Sequence, residues 1–211
     1  MNRRNALGTI GSAAFSAGLI SVTPFGMAGM AMAQDASTGV LEMTLGSDDA
    51  PITLIEYASF TCPHCARFHT SVMEPLKAEY VDTGKVKFIY RDVYFDRPGL
   101  WASLVARCDP NRFFGIADLL YTDQQKWIGD GNPAQIEQNL RKVGSVAGLT
   151  KEQLDTCLTD GENAQALYTW FQENIEKDDV SGTPTLFIDG EKHSNMSFTD
   201  LKALLDAKLD A

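Results

Sequence analysis

The sequence predicts an α/β fold in which a strand–helix–strand unit is followed by a long helical stretch and then by a hairpin and a helix. The first unit comprises the nearly continuous apolar run Ile52–Ala58, helically spaced apolar residues over 62–80, and the alternating run 86–93. Runs of this kind are typical of buried central strands, and a helical connection between them implies parallel pairing. From 98 to 178 the pattern changes to successive helix starts with little strand character.

The remaining elements are shorter. Residues 39–45 alternate in polarity and predict an edge strand before the first unit. After the helical stretch, Thr185–Ile188 predicts a short strand, Asp189-Gly190 predicts a hairpin turn, and 191–193 predicts a returning edge strand. Ser197 is a favourable N-cap for a final helix with leucines on one side.

Residues 1–33 are interpreted as an export signal that resembles the twin-arginine type. Arg3 and Arg4 precede an uncharged stretch that ends in the small-residue box 31–33, so the mature chain is expected to begin near Gln34. A permanent membrane anchor is the alternative interpretation. The glycines, proline and hydroxyl residues between 8 and 30 make this stretch less apolar than a spanning helix requires, so no stable membrane insertion is expected.

Charge and length limit the class of protein. The chain has 211 residues and a formal net charge of -10, so nucleic acid is an unlikely partner. Residues 34–211 suffice for one domain with an insertion at about 98–178. Export places that domain in the periplasm, where disulfides persist and where its four cysteines have to be interpreted.

The motif Cys62-Pro63-His64-Cys65 lies at the predicted junction of a strand and a helix. Two cysteines at this spacing can close and reopen a small disulfide, and the thiolate is the reacting species. The helix dipole, unpaired backbone N–H groups and His64 are each expected to lower the pKa of Cys62. A structural disulfide or half of a zinc site is the alternative, but the sequence lacks a second ligand pair, so neither a metal nor another cofactor is expected.

The order of strand, Glu56, Cys62–Cys65, helix, strand, helical insertion and Gly182-Thr183-Pro184-Thr185 resembles the DsbA family of thioredoxin-fold proteins. The resemblance covers essentially all of 34–211. It implies a thioredoxin fold with a helical insertion between its βαβ and ββα halves. It further implies that Cys62 is the nucleophile and Cys65 its resolving partner, that Pro184 is cis and faces them, and that Thr183 offers backbone groups to substrate. Glu56 would be the buried acid that moves protons to and from Cys65.

The resemblance also implies a function. It predicts a periplasmic oxidoreductase that introduces disulfides into unfolded or reduced exported proteins and is reoxidised by a quinone-linked membrane protein similar to DsbB. One residue departs from the pattern, because well-known oxidases of the family carry valine where this chain has Thr183. A disulfide isomerase or reductase in stress defence therefore remains an alternative. A non-catalytic metal-binding protein of the same fold is a second one.

Four further residues have open interpretations. Cys108 and Cys157 lie in separate predicted helices of the insertion, and a structural bridge between them is preferred to two free thiols because the compartment is oxidising. His69 follows Cys62 by seven residues, nearly two helical turns, and could reach the site only indirectly, so it is interpreted as a surface or packing histidine. Arg91, late in the second long strand, is expected either to pair with Glu56 or to remain a solvated charge at the strand end.

Overall fold

A computed structural model describes residues 39–211, so the predicted export signal at 1–33 lies outside the described residues. The described residues contain the strands β1 (Met43–Leu45), β2 (Ile52–Ala58), β3 (Val86–Asp92), β4 (Thr185–Ile188) and β5 (Glu191–Ser194). These strands form one sheet with the order β1-β3-β2-β4-β5. β2 and β3 pair in parallel, and the other neighbours are antiparallel. The predicted parallel unit and the predicted hairpin are both present in this sheet.

Nine helices complete the described part of the chain. The first helical stretch consists of α1 (Pro63–Phe68), a π-helical segment (His69–Met73), α2 (Glu74–Leu76) and a second π-helical segment (Lys77–Val81). The insertion carries α3 (Arg97–Ala106), a 3-10 turn (Pro110–Arg112), α4 (Phe113–Thr122), α5 (Gln124–Ile128), α6 (Pro133–Val146), α7 (Lys151–Thr159) and α8 (Gly161–Lys177). The last helix is α9 (Phe198–Leu209).

The main core lies between the sheet and the helices on one of its faces. Leu54 of β2, Phe88 of β3 and Leu186 of β4 are fully buried, and Phe113 and Ile116 of α4 belong to the same cluster. Burial of such apolar side chains is the main favourable term in folding. The core therefore fixes β2, and with it the loop that follows β2, against the insertion.

Local signals explain where several helices begin. Thr150 and Gln153 form a reciprocal capping box at the start of α7, and Asn132 accepts hydrogen bonds from the first N–H groups of α6. Ser197 caps α9 in the same way, as its position in the sequence predicted. In contrast, the strand predicted over 39–45 is shorter, because regular pairing with β3 begins only at Met43.

Arg91 corrects one expectation. It does not pair with Glu56 and is not a free strand-end charge, since its guanidinium contacts Glu42 at 2.7 Å and Asp178 at 3.0 Å. The register explains the difference. Glu56 lies opposite Tyr90, so Arg91 is one residue further along β3 and faces the other side of the sheet.

Two further findings concern the insertion and the membrane. The sulfurs of Cys108 and Cys157 are bonded, which links the end of α3 to α7 across a sequence separation of 49 residues. Within the described part of the chain, every helix is too short or too polar to cross a bilayer.

Candidate active site

The dithiol pair lies where β2 passes into the first helical stretch. Cys62 is the residue before α1, with extended backbone angles, and Pro63 occupies the first helical position, where a missing N–H costs nothing. The loop before it is closed by a hydrogen bond from the Cys62 N–H to the Ser59 carbonyl at 3.0 Å. Cys62 retains 8% exposure, whereas Cys65, one helical turn later, is fully buried. Only Cys62 can therefore meet another protein's sulfur.

The segment before β4 faces this pair. The Thr183–Pro184 peptide bond is cis, and the Cys62 thiol donates to the Thr183 carbonyl across 3.5 Å. Because proline lacks an N–H and β4 begins only at Thr185, the Thr183–Pro184 backbone is not used in strand pairing. Its polar groups are available to an extended peptide beside the sulfur.

The two thiols have opposite acidities. Donation from the Cys65 thiol is the largest influence that lowers the pKa of Cys62, and the nearby Thr183 side chain and the backbone N–H groups of His64 and Cys65 add to it. Together they outweigh burial and lower the pKa of Cys62 to about 5. Burial, reinforced by Cys62 and by the charge of Glu56, raises the pKa of Cys65 well above its usual range. The favoured reduced state is consequently a Cys62 thiolate beside a Cys65 thiol.

His64 contributes through its backbone. Its amide stabilises the Cys62 thiolate, while its exposed imidazole Nδ1 contacts the Arg67 guanidinium at 2.6 Å. The structure thus places the predicted tuning residue next to the sulfurs, with its side chain directed along the helix.

Glu56 is completely buried in β2, between Tyr90 of β3 and Leu186 of β4. Burial first, and the Cys62 charge second, raise the pKa of Glu56 to about 8. The charge of Glu56 in turn raises the pKa of Cys65, so the carboxyl interacts electrostatically with the buried sulfur. A buried carboxyl that holds its proton near neutral pH can both donate and accept one there.

Two residues of this region had no sequence signal for a role. Gln124 of α5 is buried and donates from Nε2 to the carbonyl oxygens of Phe60 at 2.8 Å and Cys62 at 3.0 Å. It thereby ties the loop before Cys62 to the insertion. His69 is also buried, stacked on Tyr121 with ring centroids 4.2 Å apart. The structure therefore shows a buried histidine and not a surface one.

The side chains near the pair do not suggest a metal ion. Across 39–211, no group of three or more His, Cys, Asp and Glu side chains has the arrangement of a metal site.

A dithiol at the start of a helix, facing a cis-proline loop on a mixed five-stranded sheet, defines the class as a thioredoxin-fold protein with a dithiol site.

Comparison with known proteins specifies the family. The family model described as Thioredoxin matches residues 38–207, and the chain belongs to this family. The crystal structure of Wolbachia pipientis alpha-DsbA1 superposes with a TM-score of 0.74 at 26% identity, covering 79% of this chain and 89% of that one. The predicted thioredoxin fold with a helical insertion and the predicted resemblance to the DsbA family are thereby confirmed.

Two other similar proteins carry functional names. A putative protein-disulfide oxidoreductase of Rickettsia bellii is 31% identical over 171 residues, which is 80% of this chain and 65% of that protein. A structure described as protein-disulfide isomerase from Novosphingobium aromaticivorans has a TM-score of 0.73 at 26% identity and covers 81% of this chain and 98% of that one. The chain spans between 60% and 65% of the length of its Rickettsia relatives.

Proposed function

We propose that this protein is a periplasmic protein-disulfide oxidoreductase that introduces disulfides into unfolded or reduced exported proteins. The observation that carries the proposal is the placement of the two thiols. Cys62 is the partly exposed sulfur at the start of a helix, beside the cis Thr183–Pro184 bond, and Cys65 is fully buried one turn later. These surroundings lower the pKa of Cys62 and raise that of Cys65. A stabilised thiolate favours the reduced pair, and a disulfide whose reduced form is stabilised is a strong oxidant. The name of the Rickettsia bellii relative, putative protein-disulfide oxidoreductase, supports the oxidoreductase class.

The reaction begins from the closed Cys62–Cys65 disulfide. A substrate thiolate attacks the exposed Cys62 sulfur, the bond between the cysteines breaks, and Cys65 leaves as a thiolate. Because Cys65 is buried, that thiolate has to be protonated, and the Glu56 carboxyl is the proposed donor. A second substrate thiolate then attacks the substrate sulfur of the mixed disulfide. Cys62 departs as the stabilised thiolate, and the substrate keeps the new disulfide.

Thr183 and Pro184 are proposed to hold the substrate during this exchange. Their backbone lies beside the Cys62 sulfur and is not engaged in the sheet, so an extended segment of substrate can bind it by strand-like hydrogen bonds. Recognition through backbone groups suits an enzyme that accepts many sequences.

Reoxidation, location and bounds complete the proposal. The reduced pair would return its electrons to a quinone-linked membrane protein similar to DsbB. Residues 1–33 would be removed on export to the periplasm, leaving 34–211 as the working domain. Amino-terminal sequencing of the protein recovered from the periplasm tests the cleavage site, and a start near Gln34 is expected.

The enzymatic test is oxidation of reduced ribonuclease by one equivalent of the oxidised protein, followed by thiol counting and recovery of ribonuclease activity. We expect two ribonuclease thiols to disappear for each Cys62–Cys65 disulfide consumed. Cys62→Ser should lower the rate by at least about a thousandfold, as loss of a nucleophile does. Unchanged thiol numbers with the wild-type protein would refute the oxidase function.

Isomerase activity is the second candidate, favoured by Thr183 before the cis-proline and by the name of the Novosphingobium protein. Scrambled ribonuclease separates the two activities, because it already has all its disulfides and only their rearrangement restores activity. An oxidase recovers the reduced substrate and leaves the scrambled one largely inactive. The reverse preference would assign the protein to isomerisation.

A further inference from the structure

Glu56 and His69 form a buried pair outside the contacts of the two sulfurs. His69 Nε2 lies 3.9 Å from Glu56 Oε2, and the two side chains are 4% and 0% exposed. Both Glu56 oxygens and His69 Nε2 lack a hydrogen-bond partner. Native proteins leave few buried polar atoms unpaired, so three at one place call for an explanation. A shift of about 1 Å would bring the pair to hydrogen-bond length.

The helix changes its hydrogen-bond register at this histidine. Pro75 has no N–H to offer the Ser71 carbonyl, and the stretch His69–Met73 is π-helical. Phe68, the last residue of α1, and His69, the first residue of the π-helical segment, are both buried. Single π turns are frequent at functional sites. Here the π segment begins at the residue whose imidazole lies beside the buried carboxyl of β2.

The imidazole also reaches a cavity. His69 and the buried Met73 line a cavity of about 530 Å³ whose other lining residues include the exposed Thr70, Glu74, Lys77 and Asp118. Neither Cys62 nor Cys65 is among its lining residues. His69 is therefore in contact with Glu56 on one side and with a solvent-accessible cavity on another, in a region where the resolving sulfur is fully buried.

We propose that His69 is the relay through which protons pass between this cavity and Glu56, and so to and from Cys65. The inference rests on the proposed thiol–disulfide exchange and adds the route by which the buried acid is recharged. His69 does not touch the reacting sulfurs. It is a positioning residue for the proton that Glu56 carries.

The proton balance is simple. When Cys65 leaves as a thiolate, it takes the Glu56 proton, and the resulting carboxylate takes a proton from the imidazole, which is restored from water in the cavity. When Cys65 has to attack a mixed disulfide on Cys62, the same proton moves outward by the reverse steps. No electrons pass through the relay, because the two sulfurs and the substrate exchange all of them.

The charge state suits a relay. Burial lowers the pKa of His69 to about 3, so at neutral pH the ring carries one N–H donor and one bare acceptor nitrogen and can take a proton on one side while releasing one on the other. The titratable and charged groups around it are Glu56 of β2, Tyr90 of β3, Tyr121 and Asp118 of α4, and Glu74 and Lys77 of its own helix.

The test measures thiol exchange with glutathione in both directions at pH 7, by acid quenching and mass-spectrometric thiol counting. His69→Phe keeps an aromatic ring against Tyr121 but removes both nitrogens. It should slow reduction and reoxidation of the pair by the same factor, about tenfold, and leave the reduction potential unchanged. His193→Phe, at the distant edge strand β5, is the matched control and should react at the wild-type rate.

Chemical rescue separates a relay from a packing role. Millimolar imidazole should enter the cavity left by His69→Ala and restore most of the lost rate, but it should not restore the double variant that also carries Glu56→Gln. A wild-type rate for His69→Phe would overturn the proposal, and so would slowing with a shifted potential and no rescue. If these variants fail to fold, His69→Gln replaces them, with the same slowing expected and a wild-type rate counting against the relay.

The result is distinguishable from failure of the proposed function. Glutathione exchange needs only the cysteine pair, so the relay can be measured even if reduced ribonuclease is not oxidised. If the wild-type protein fails to oxidise ribonuclease, but replacement of His69 slows glutathione exchange, only the proposed oxidase function is refuted.

Discussion

Two cysteine pairs in this chain share one chemistry and differ in nearly every other respect. Cys62 and Cys65 are three positions apart at the start of a helix, and both thiols are free and buried. Cys108 and Cys157 are bonded across 49 positions and join two helices of the insertion. Closing a long loop restricts the unfolded chain, whereas closing a loop of three positions restricts it little. One pair suits stability and the other suits exchange.

The surroundings of the Cys62–Cys65 pair explain why it suits exchange. Around Cys62 the structure gathers hydrogen-bond donors for a thiolate, including Thr183 and two backbone amides, and behind Cys65 it buries a carboxyl with a raised pKa. The contrast teaches that the four residues of the motif supply the sulfurs, while other parts of the chain determine which state of those sulfurs is preferred.

The largest expected effect concerns pH and applies to the exchange pair alone. The pKa of Glu56 is raised from 4.5 to about 8, so its contribution to stability is fully present below about pH 4.5 and is lost as pH rises through 8. In the reduced protein, Cys62 acts oppositely. Its pKa is lowered from 9.0 to about 5, so its contribution to stability is fully present above about pH 9 and is lost as pH falls through 5. Subtracting the unfolding free energy of wild type from that of Glu56→Gln removes the part of the Cys62 contribution that does not depend on the charge of Glu56.

Between pH 4 and pH 9, the free energy of unfolding of Glu56→Gln should rise relative to that of wild type by up to about 5 kcal/mol. Urea unfolding of both reduced proteins across this range measures it. A difference that stays constant with pH would show that Glu56 is not buried in its protonated form, and would remove the proton donor assigned to Cys65.

The next effect concerns the bonded pair. Replacing Cys108 and Cys157 together with alanine should lower the free energy of unfolding by about 4 kcal/mol, as expected for opening a loop of this length. Ribonuclease oxidation by the folded variant should remain within about twofold of wild type, because neither residue contacts the exchange site. Urea unfolding tests the expected loss of stability, and the ribonuclease assay tests the expected retention of activity. A loss of activity at unchanged stability would contradict the structural role assigned to Cys108 and Cys157.

The smallest effect concerns Thr183. Its hydroxyl has no hydrogen-bond partner in the structure and is available to whichever sulfur is ionised. Thr183→Val should raise the pKa of Cys62 by about one unit, since a hydrogen bond to a charged group is worth at least that much. Thiolate absorbance near 240 nm, titrated with acid, measures the change. An unchanged pKa of Cys62 would show that Thr183 acts in the site only through its backbone.

The sequence predicted the sheet well, and the reason is physical. The strands around the site are apolar runs bounded by turn residues, so β2 and β4 begin and end where the pattern does. The dithiol followed from the spacing of two cysteines at a predicted strand–helix junction, and the Thr183–Pro184 segment followed from a resemblance in order and type of residue. They are more than a hundred positions apart in the chain, and the structure brings them to 3.5 Å.

The buried polar partners could not be predicted. His69 follows Cys62 by seven residues, nearly two helical turns, which indicated only an indirect approach to the site and gave no indication of the contact with Glu56. Gln124 binds the loop before Cys62 from a helix of the insertion, and no local pattern distinguishes it from a surface glutamine. Arg91 needed the strand register, since a single residue of offset decides its face.

The central claim is that the surroundings of Cys62 make its disulfide an oxidant. The most direct measurement is the reduction potential of the Cys62–Cys65 pair, obtained by equilibration with glutathione buffers, with Cys108 and Cys157 left bonded. We predict a value above about −180 mV, toward the oxidising end of the range for this fold. A value close to that of thioredoxin, about −270 mV, would contradict the account and indicate a reductase.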